Sequence, residues 1–229
     1  LPYSDEYFDA VITDPPYYDN IPYADLSDYF YVWLKRTLGN LYSNLLSTPL
    51  TPKSQEIIQE PMRHRGSESK AKEFFVEKLA ESFEEIQRVL KSNGIATVVF
   101  AHKSTSAWES LMNSFLKSGL VVTASWPIHT ERPGRLRGQK SAALASSIFF
   151  VCRKLQKEEE AYFEEIEDDI KNRIQKRLDY FWRIGIRGAD FFVSSIGPAI
   201  KVFGQYNKVK RYSRKEVSVS ELLGLVEKY

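Results

Sequence analysis

The groups most suited to chemistry lie in four consecutive residues near the start of the chain, Asp14-Pro15-Pro16-Tyr17. They follow the apolar, β-branched segment 8–13, which is typical of a buried strand. The two prolines fix φ and remove two amide donors, so neither a strand nor a helix continues through them. The sequence therefore predicts a rigid turn at the carboxyl end of a strand, displaying a carboxylate, a carbonyl and an aromatic ring. Open α/β sheets bind their ligands at that edge.

This turn offers the acceptors that the exocyclic amino group of a nucleobase requires. Such a group has two hydrogens to donate, and its nitrogen lone pair is delocalised into the ring. If the Asp14 carboxylate and the Pro15 carbonyl each accept one hydrogen, pyramidal nitrogen is favoured and nucleophilicity is restored. This stabilisation grows as positive charge develops, which is what catalysis requires. Tyr17 would stack on a base taken out of its helix, and Tyr18 and Asn20 are further candidates for substrate contact.

The turn and the residues after it resemble a known family of enzymes. Asp-Pro-Pro-Tyr after a short apolar strand is similar to the catalytic motif of amino-group methyltransferases that use S-adenosylmethionine, especially adenine-N6 enzymes. The longer run 14–36 resembles the large archaeal and bacterial adenine-specific DNA methylases with an uncharacterised N-terminal domain. Shorter stretches that resemble the same family extend over most of the chain, at 101–103, 124–131, 145–148 and 188–192.

The resemblance implies a class I, Rossmann-like methyltransferase fold in which Asp14 ends the fourth strand. The later strands would be the fifth, sixth and seventh, the last antiparallel. It further implies S-adenosylmethionine as cofactor, DNA as partner and adenine N6 as the methylated atom, with Asp14, Pro15, Pro16 and Tyr17 as catalytic residues. Cytosine-N4 methylation, RNA methylation, and a non-catalytic module that binds nucleic acid or a partner chain stay open as alternatives.

The chain lacks the glycine-rich turn after a strand with which such folds bind their cofactor. None of its 11 glycines stands in that position, and Asp14 is the one candidate for cofactor contact. We therefore expect the C-terminal, catalytic half of a class I sheet, inactive on its own. The first strand would then be an open sheet edge, covered by a missing upstream segment, a partner chain or a second copy of this chain.

Strand and helix patterns alternate along the chain, which predicts an α/β fold. Strands are expected at 8–13, 95–101, 120–126 and 146–154, and helices at 24–36, 70–91, 106–118, 157–183 and 188–203. An irregular excursion is expected at 39–68 and a basic loop at 127–145. Residues 1–155 would form the catalytic half of the methyltransferase domain, and residues 156–229 a mainly helical appendage that looks truncated.

Further candidates for substrate contact lie at the ends of the other predicted strands. His102 and Lys103 follow the second strand, and Trp126 ends the third. Three arginines of the basic loop have the geometry to hold phosphates, namely Arg132, Arg135 and Arg137. The respective alternatives are an ordinary loop histidine, a tryptophan that caps the core, and a solvated loop.

Composition narrows the classes of function. The 229 residues include 32 basic and 30 acidic ones, so any polyanion must bind to a local patch and not to the surface as a whole. Cys152 is the one cysteine, and the apolar strand pattern around it indicates a core position. A chain with one cysteine cannot form an internal disulfide, which fits a reducing, cytoplasmic setting. No apolar stretch approaches the ~20 residues that span a bilayer, so no membrane partner is expected. No metal site is expected either, because Asp19, Asp25 and Asp28 have helical spacing and no nearby histidine.

Overall fold

A computed structural model of the chain describes residues 1–130, 146–155, 160–185, 197, 199–203, 205–206 and 208–226. The chain divides into two compact units. The sheet unit comprises Leu1–Pro15 and Val76–Tyr229, and the inserted unit comprises Pro16–Phe75. The predicted boundary after residue 155 lies inside the sheet unit, so it differs from the division between these two units.

The sheet unit contains a mixed sheet flanked by helices, which confirms the predicted α/β class. Its four strands are β1 (Phe8–Thr13), β2 (Leu90–Phe100), β3 (Leu120–His129) and β4 (Ser146–Lys154). They lie in the order β1-β2-β4-β3. β1 is parallel to β2, and β4 is antiparallel to both of its neighbours, so β1, β2 and β3 point the same way. The carboxyl ends of these three strands therefore share one edge of the sheet.

The bounds of β2 differ from the predicted ones. β2 begins at Leu90, five residues before the predicted start, and its pairing with β1 is interrupted: Phe8 pairs with Leu90, whereas Ala10 pairs with Ile95. Gly94 lies in this interruption, where a Cβ atom would come 2.7 Å from the Leu90 side chain. The glycine thus permits a close approach within the strand, and the predicted helix 70–91 ends at Val89, before this strand begins. β1 and β4 have the predicted bounds, and β3 extends three residues further, to His129.

The described helices follow the predicted order, and most of the predicted helix 188–203 lies outside the described residues. They are α1 (Tyr23–Leu38), α2 (Glu68–Val89), α3 (Thr105–Ser118), α4 (Phe163–Arg183) and α5 (Val219–Val226), and residues 199–203 are also helical. α3 ends at Gly119, whose φ of 71° is the left-handed conformation that glycine adopts readily. No helix in the described ranges is long and apolar enough to cross a membrane.

The start of α4 corrects a second prediction. The helix begins at Phe163 and not at residue 157, because residues Glu160–Tyr162 form a strand, β5. This strand pairs in parallel with β6 (Lys208–Lys210). Pairing with a distant segment has therefore removed the first turn from the helix that local periodicity predicted.

Aromatic rings fill the core between the sheet and its helices. Phe83 of α2 stacks on Phe115 of α3 with ring centres 4.8 Å apart. Trp108 packs edge-on against Phe100 at 5.1 Å and against Phe150 at 6.0 Å. All five rings are at most 1% exposed. These ring contacts hold α3, the helix that follows the carboxyl end of β2, against one face of the sheet.

The inserted unit holds its irregular excursion with ion pairs. As predicted, residues 39–68 contain little regular structure: two 3₁₀ turns, Lys53–Gln55 and Pro61–His64, and the first residue of α2. The Arg63 guanidinium donates to Glu56 at 2.6 Å and to Asp25 at 2.8 Å, with its side chain only 17% exposed.

Asp28 of α1 makes the second group of these contacts. Its carboxylate accepts from the Thr51 amide at 3.0 Å, from the Thr51 hydroxyl and from the Lys53 ammonium. The hydrogen bond from Lys53, followed by that from the Thr51 hydroxyl, lowers the pKa of Asp28 to about 2. These polar contacts replace a regular backbone ladder in holding the excursion to α1.

Candidate active site

Asp14 and Pro15 lie at the carboxyl edge of the sheet. Thr13 is the last residue of β1, and it pairs with Val98 of β2. Because β1 and β2 are parallel, Asp14 follows β1 at the edge where β2 also ends, at Phe100. This is the edge at which open α/β sheets bind their ligands.

The two acceptors of the turn receive no hydrogen bond from the part of the chain that the structure describes. Asp14 is exposed and Pro15 is half-buried. Among the residues that the structure describes, none donates a hydrogen bond to the Asp14 carboxylate or to the Pro15 carbonyl. Pro16 has no amide hydrogen, so it cannot donate a backbone hydrogen bond that would continue the sheet. A carboxylate and a carbonyl one residue apart are thus left for a ligand with two hydrogens to donate.

The boundary between the two units falls inside the motif. Asp14 and Pro15 belong to the sheet unit, whereas Pro16 and Tyr17 belong to the inserted unit. The motif therefore contains residues of both units, and its two acceptors directly follow β1 in the chain.

The two tyrosines after the prolines have different environments. Tyr18 is 7% exposed, and its ring packs edge-on against Phe75 at 5.2 Å. Its backbone has a left-handed φ of 57°, and its carbonyl accepts from the Gln59 amide at 3.0 Å. Tyr17 is half-buried, and its carbonyl accepts from the Asn20 amide at 3.0 Å. Burial corrects the expectation for Tyr18, whose ring packs in the core; Tyr17 remains the candidate for stacking and Asn20 stays exposed.

His102 has the contacts of a structural residue. It is 8% exposed, and its Nδ1 atom accepts from the Ser104 amide at 3.1 Å, just before α3. Its carbonyl accepts from Nε1 of Trp108 at 2.7 Å. These bonds join the end of β2 to the start of α3, which favours the ordinary histidine over a substrate contact. Lys103 is exposed at the same edge of the sheet.

Trp126 lies on β3, at the opposite edge of the sheet from β1. Along the strand direction it is at the same level as the motif. It pairs with Phe149, which pairs with Val99, the residue after the one that pairs with Thr13. Trp126 is therefore level with Asp14 along the strand direction. Three spacings of ~4.8 Å between adjacent strands separate their backbones by about 14 Å. Trp126 is 46% exposed, so it does not cap the core.

Three predicted phosphate ligands, Arg132, Arg135 and Arg137, lie outside the described residues. Four other cations, which the sequence did not single out, line a cavity of about 440 Å³ beside Trp126: Arg173, Lys176, Arg177 and Lys201. The first three belong to α4, whose charges suggest a solvated helix when they are considered alone. Their spacing of three and four residues, with Tyr180 three residues further on, was the available indication that they share a face.

The described residues do not form the cradle that S-adenosylmethionine would need. The described glycines lie within β2, within helices or in helix-associated turns, and none of them follows the carboxyl end of a strand. Within the described ranges β1 pairs with a strand on one side only, and Ile12 on this strand is 77% exposed. The residues present thus fit the acceptor side of a methyl transfer and do not fit its cofactor side.

The described part of the chain has no suitable groups for metal binding or for catalysis by a cysteine nucleophile. No three His, Cys, Asp or Glu side chains come together there as a metal site. Asp25 and Asp28 are ion-paired with Arg63 and Lys53. Cys152 is fully buried in β4, and burial raises the pKa of its thiol well above the usual range, so it is not an active nucleophile.

Comparisons of the chain with protein-family models, with curated proteins and with solved structures find no match.

Proposed function

We propose that this chain is the amino-acceptor half of an N6-adenine DNA methyltransferase. The observation that carries the proposal is a pair of acceptors to which no described residue donates, the Asp14 carboxylate and the Pro15 carbonyl, at the carboxyl edge of β1. Their neighbour Tyr17 supplies a ring next to them in the chain. Together the two acceptors suit an amino group, which has two hydrogens to donate, whereas a hydroxyl group would engage only one of them.

The sheet order supports the proposal independently. In the resembled methyltransferases, the fourth strand carries the motif and is followed by the fifth, sixth and seventh, the last antiparallel. The order β1-β2-β4-β3, with β4 antiparallel and the Asp14 turn after β1, agrees with that arrangement. The agreement adds to the motif because strand order and motif position are independent observations.

The role of the chain is to bind and polarise the amino group. Tyr17 stacks on the extruded adenine, and the two acceptors hold the hydrogens of N6. As positive charge develops on N6, the Asp14 carboxylate would stabilise that charge more strongly than it stabilises the planar ground state, and N6 would then lose one of its two hydrogens to solvent as a proton. S-adenosylmethionine would supply the methyl group; none of the described residues is assigned to hold it.

The test is methyl transfer from radiolabelled S-adenosylmethionine to duplex DNA by the full-length protein, compared with Asp14→Ala. We expect incorporation into N6-methyladenine and its loss in the variant. Label recovered as N4-methylcytosine, or in RNA only, would reassign the acceptor. Incorporation that survives Asp14→Ala would refute the mechanism.

A cofactor-independent readout separates catalysis from binding. Adenine replaced by 2-aminopurine becomes fluorescent when it leaves the base stack, so the wild-type chain should raise its emission and Tyr17→Ala should not. Retained DNA binding with neither transfer nor extrusion would favour the non-catalytic nucleic-acid module.

A further inference from the structure

The cavity of about 440 Å³ lies wholly within the sheet unit, between β3 and α4. Its volume is within the range of ordinary small-ligand sites, ~300–1,000 Å³. Four cations and two aromatic rings account for its chemical character: Arg173, Lys176, Arg177, Lys201, Trp126 and Tyr180. No carboxylate lines it among the residues that the structure describes.

Most of this positive charge is not neutralised by any residue that the structure describes. Arg173 is the exception, since its Nε atom donates to both oxygens of Asp169 at 2.9 Å on the same helix. Lys176, Arg177 and Lys201 have no ion pair with any described residue. The cavity therefore selects an anion.

Arg177 is held by aromatic rings in place of a carboxylate. Its guanidinium carbon lies 4.8 Å from the ring centre of Trp126, 4.9 Å from that of Tyr180 and 4.7 Å from that of Phe181. It also donates to the Ser125 carbonyl at 3.3 Å. Cation–π contacts fix the position of the group and leave its charge available.

The two lining rings remain accessible next to that charge. Trp126 is 46% exposed and Tyr180 is 43% exposed. An acidic peptide would match the cations and leave these rings unused. A nucleic-acid strand matches both, because its phosphates pair with cations and its bases stack on aromatic side chains.

We propose that this cavity binds a nucleotide of a single nucleic-acid strand, with a base stacked on Trp126 and phosphates paired with Lys176 and Lys201. The proposal rests on the proposed function for the identity of the strand, which would be the one that flanks the target adenine. Trp126 is level with Asp14 and about 14 Å from it across the sheet.

Charge neutralisation tests the phosphate contacts. The affinity of the full chain for a fluorescein-labelled single-stranded 12-mer is measured by anisotropy over a range of salt concentrations. The double variant Lys176→Gln/Lys201→Gln should bind about 10-fold more weakly at low salt, and its log–log salt dependence should flatten by about 1.4, or ~0.7 per lost phosphate contact. The matched control is Lys171→Gln/Lys208→Gln, two cations of the same unit outside this cavity. Equal losses in the two double variants would overturn the proposal.

Base stacking is tested with an abasic 12-mer, which keeps the phosphates and lacks the bases. Trp126→Ala should weaken binding of the normal strand about 5- to 150-fold and weaken binding of the abasic strand much less, by the loosened Arg177 contact alone. Trp126→Phe should recover most of the loss. Circular dichroism and the Tm of each variant establish that it is folded. A loss of the same size for both strands would contradict stacking, and competition by poly-glutamate at equal charge would contradict a nucleic-acid ligand.

The binding readout needs no cofactor, so the two proposals fail separately. If methyl transfer is absent and cavity-dependent binding persists, the proposed function fails and the nucleotide site stands. If transfer occurs and the Lys176→Gln/Lys201→Gln variant changes neither affinity nor rate, the nucleotide site fails and the proposed function stands.

Discussion

The Asp14 side chain has two properties that a single substitution can separate: its negative charge and its capacity to accept hydrogen bonds. Asn at this position keeps one acceptor oxygen and loses the charge that stabilises a developing cation. We expect Asp14→Asn to lower kcat for methyl transfer about 10²- to 10³-fold, with KM for DNA changed little.

Stability provides the control for this variant. Asp14 is exposed, and no described residue donates to its carboxylate, so the free energy of unfolding should change by no more than ~0.5 kcal/mol. The measurements are steady-state kinetics and urea unfolding of both proteins. A KM increase at unchanged kcat would show that Asp14 binds substrate and does not act in the transition state.

Tyr17 and Tyr18 are adjacent residues of the same type that differ in burial. Their alanine variants can therefore be compared directly. Tyr18→Ala removes a ring that packs against Phe75, so we expect a loss of about 3–5 kcal/mol in the free energy of unfolding. Tyr17→Ala should lose much less stability and should abolish the rise in 2-aminopurine emission. Urea unfolding and fluorescence distinguish the two effects, and the opposite pattern would exchange the roles of the two rings.

At the scale of elements, the contacts of Asp28 tie the irregular excursion to α1 and make stability depend on acid pH. The folded pKa of about 2 lies below the ordinary value of 3.8, so the carboxylate contributes stability that is fully present above pH ~4. This contribution is lost as the pH falls toward 2. Asp28→Asn should therefore be less stable at pH 7 and should depend less on pH between 4 and 2.

The measurement for Asp28 is the urea midpoint as a function of pH. Glu73→Gln, which alters an exposed carboxylate on α2, is the control and should keep the wild-type pH profile. The pKa of Glu85 is also lowered to about 2, chiefly by the hydrogen bond from Arg88, so part of the acid dependence remains in the Asp28 variant. Identical slopes for Asp28→Asn and wild type would exclude the Asp28 contacts as a source.

Local sequence patterns predicted those elements whose ends are set locally. The double proline ends β1 at Thr13, and Gly119 ends α3, as their conformational preferences require. The bounds that differ depend on distant residues: β2 starts early because Leu90 pairs with Phe8, and α4 starts late because β5 pairs with β6.

The same distinction holds for the candidate site. The acceptors of the Asp14 turn follow from two adjacent residue types, and they were found in the sequence. The burial of Tyr18 against Phe75 and the contact of Arg177 with Trp126 join residues far apart in the chain. Neither has a local periodicity that a single sequence displays.

At the scale of the whole molecule, the open side of β1 is the feature with a measurable consequence. An edge strand with an exposed isoleucine is a template for pairing with another strand. We expect the chain to self-associate in a concentration-dependent way, and Ile12→Lys to reduce this association. Because Ile12 is 77% exposed, the Ile12→Lys substitution should change the free energy of unfolding of the protein by no more than ~0.5 kcal/mol.

Sedimentation velocity of wild type, Ile12→Lys and the control Ile12→Val checks this expectation. Ile12→Val keeps an apolar, β-branched side chain and should associate like the wild type. A wild-type chain that is monomeric at all concentrations would show that copies of the chain do not pair at this edge.

The position of the inserted unit between β1 and β2 has a consequence for the order of folding. The β1–β2 pairing closes a loop of about 80 residues, which costs ~4 kcal/mol of chain entropy, whereas β3 and β4 close a loop of about 16 residues for ~2.5 kcal/mol. We therefore expect β3 and β4 to pair early and β1 to join the sheet last. Asp14 and Pro15 would then reach their place in the final step, so a newly made chain acquires its acceptor pair only when the rest of the sheet has formed.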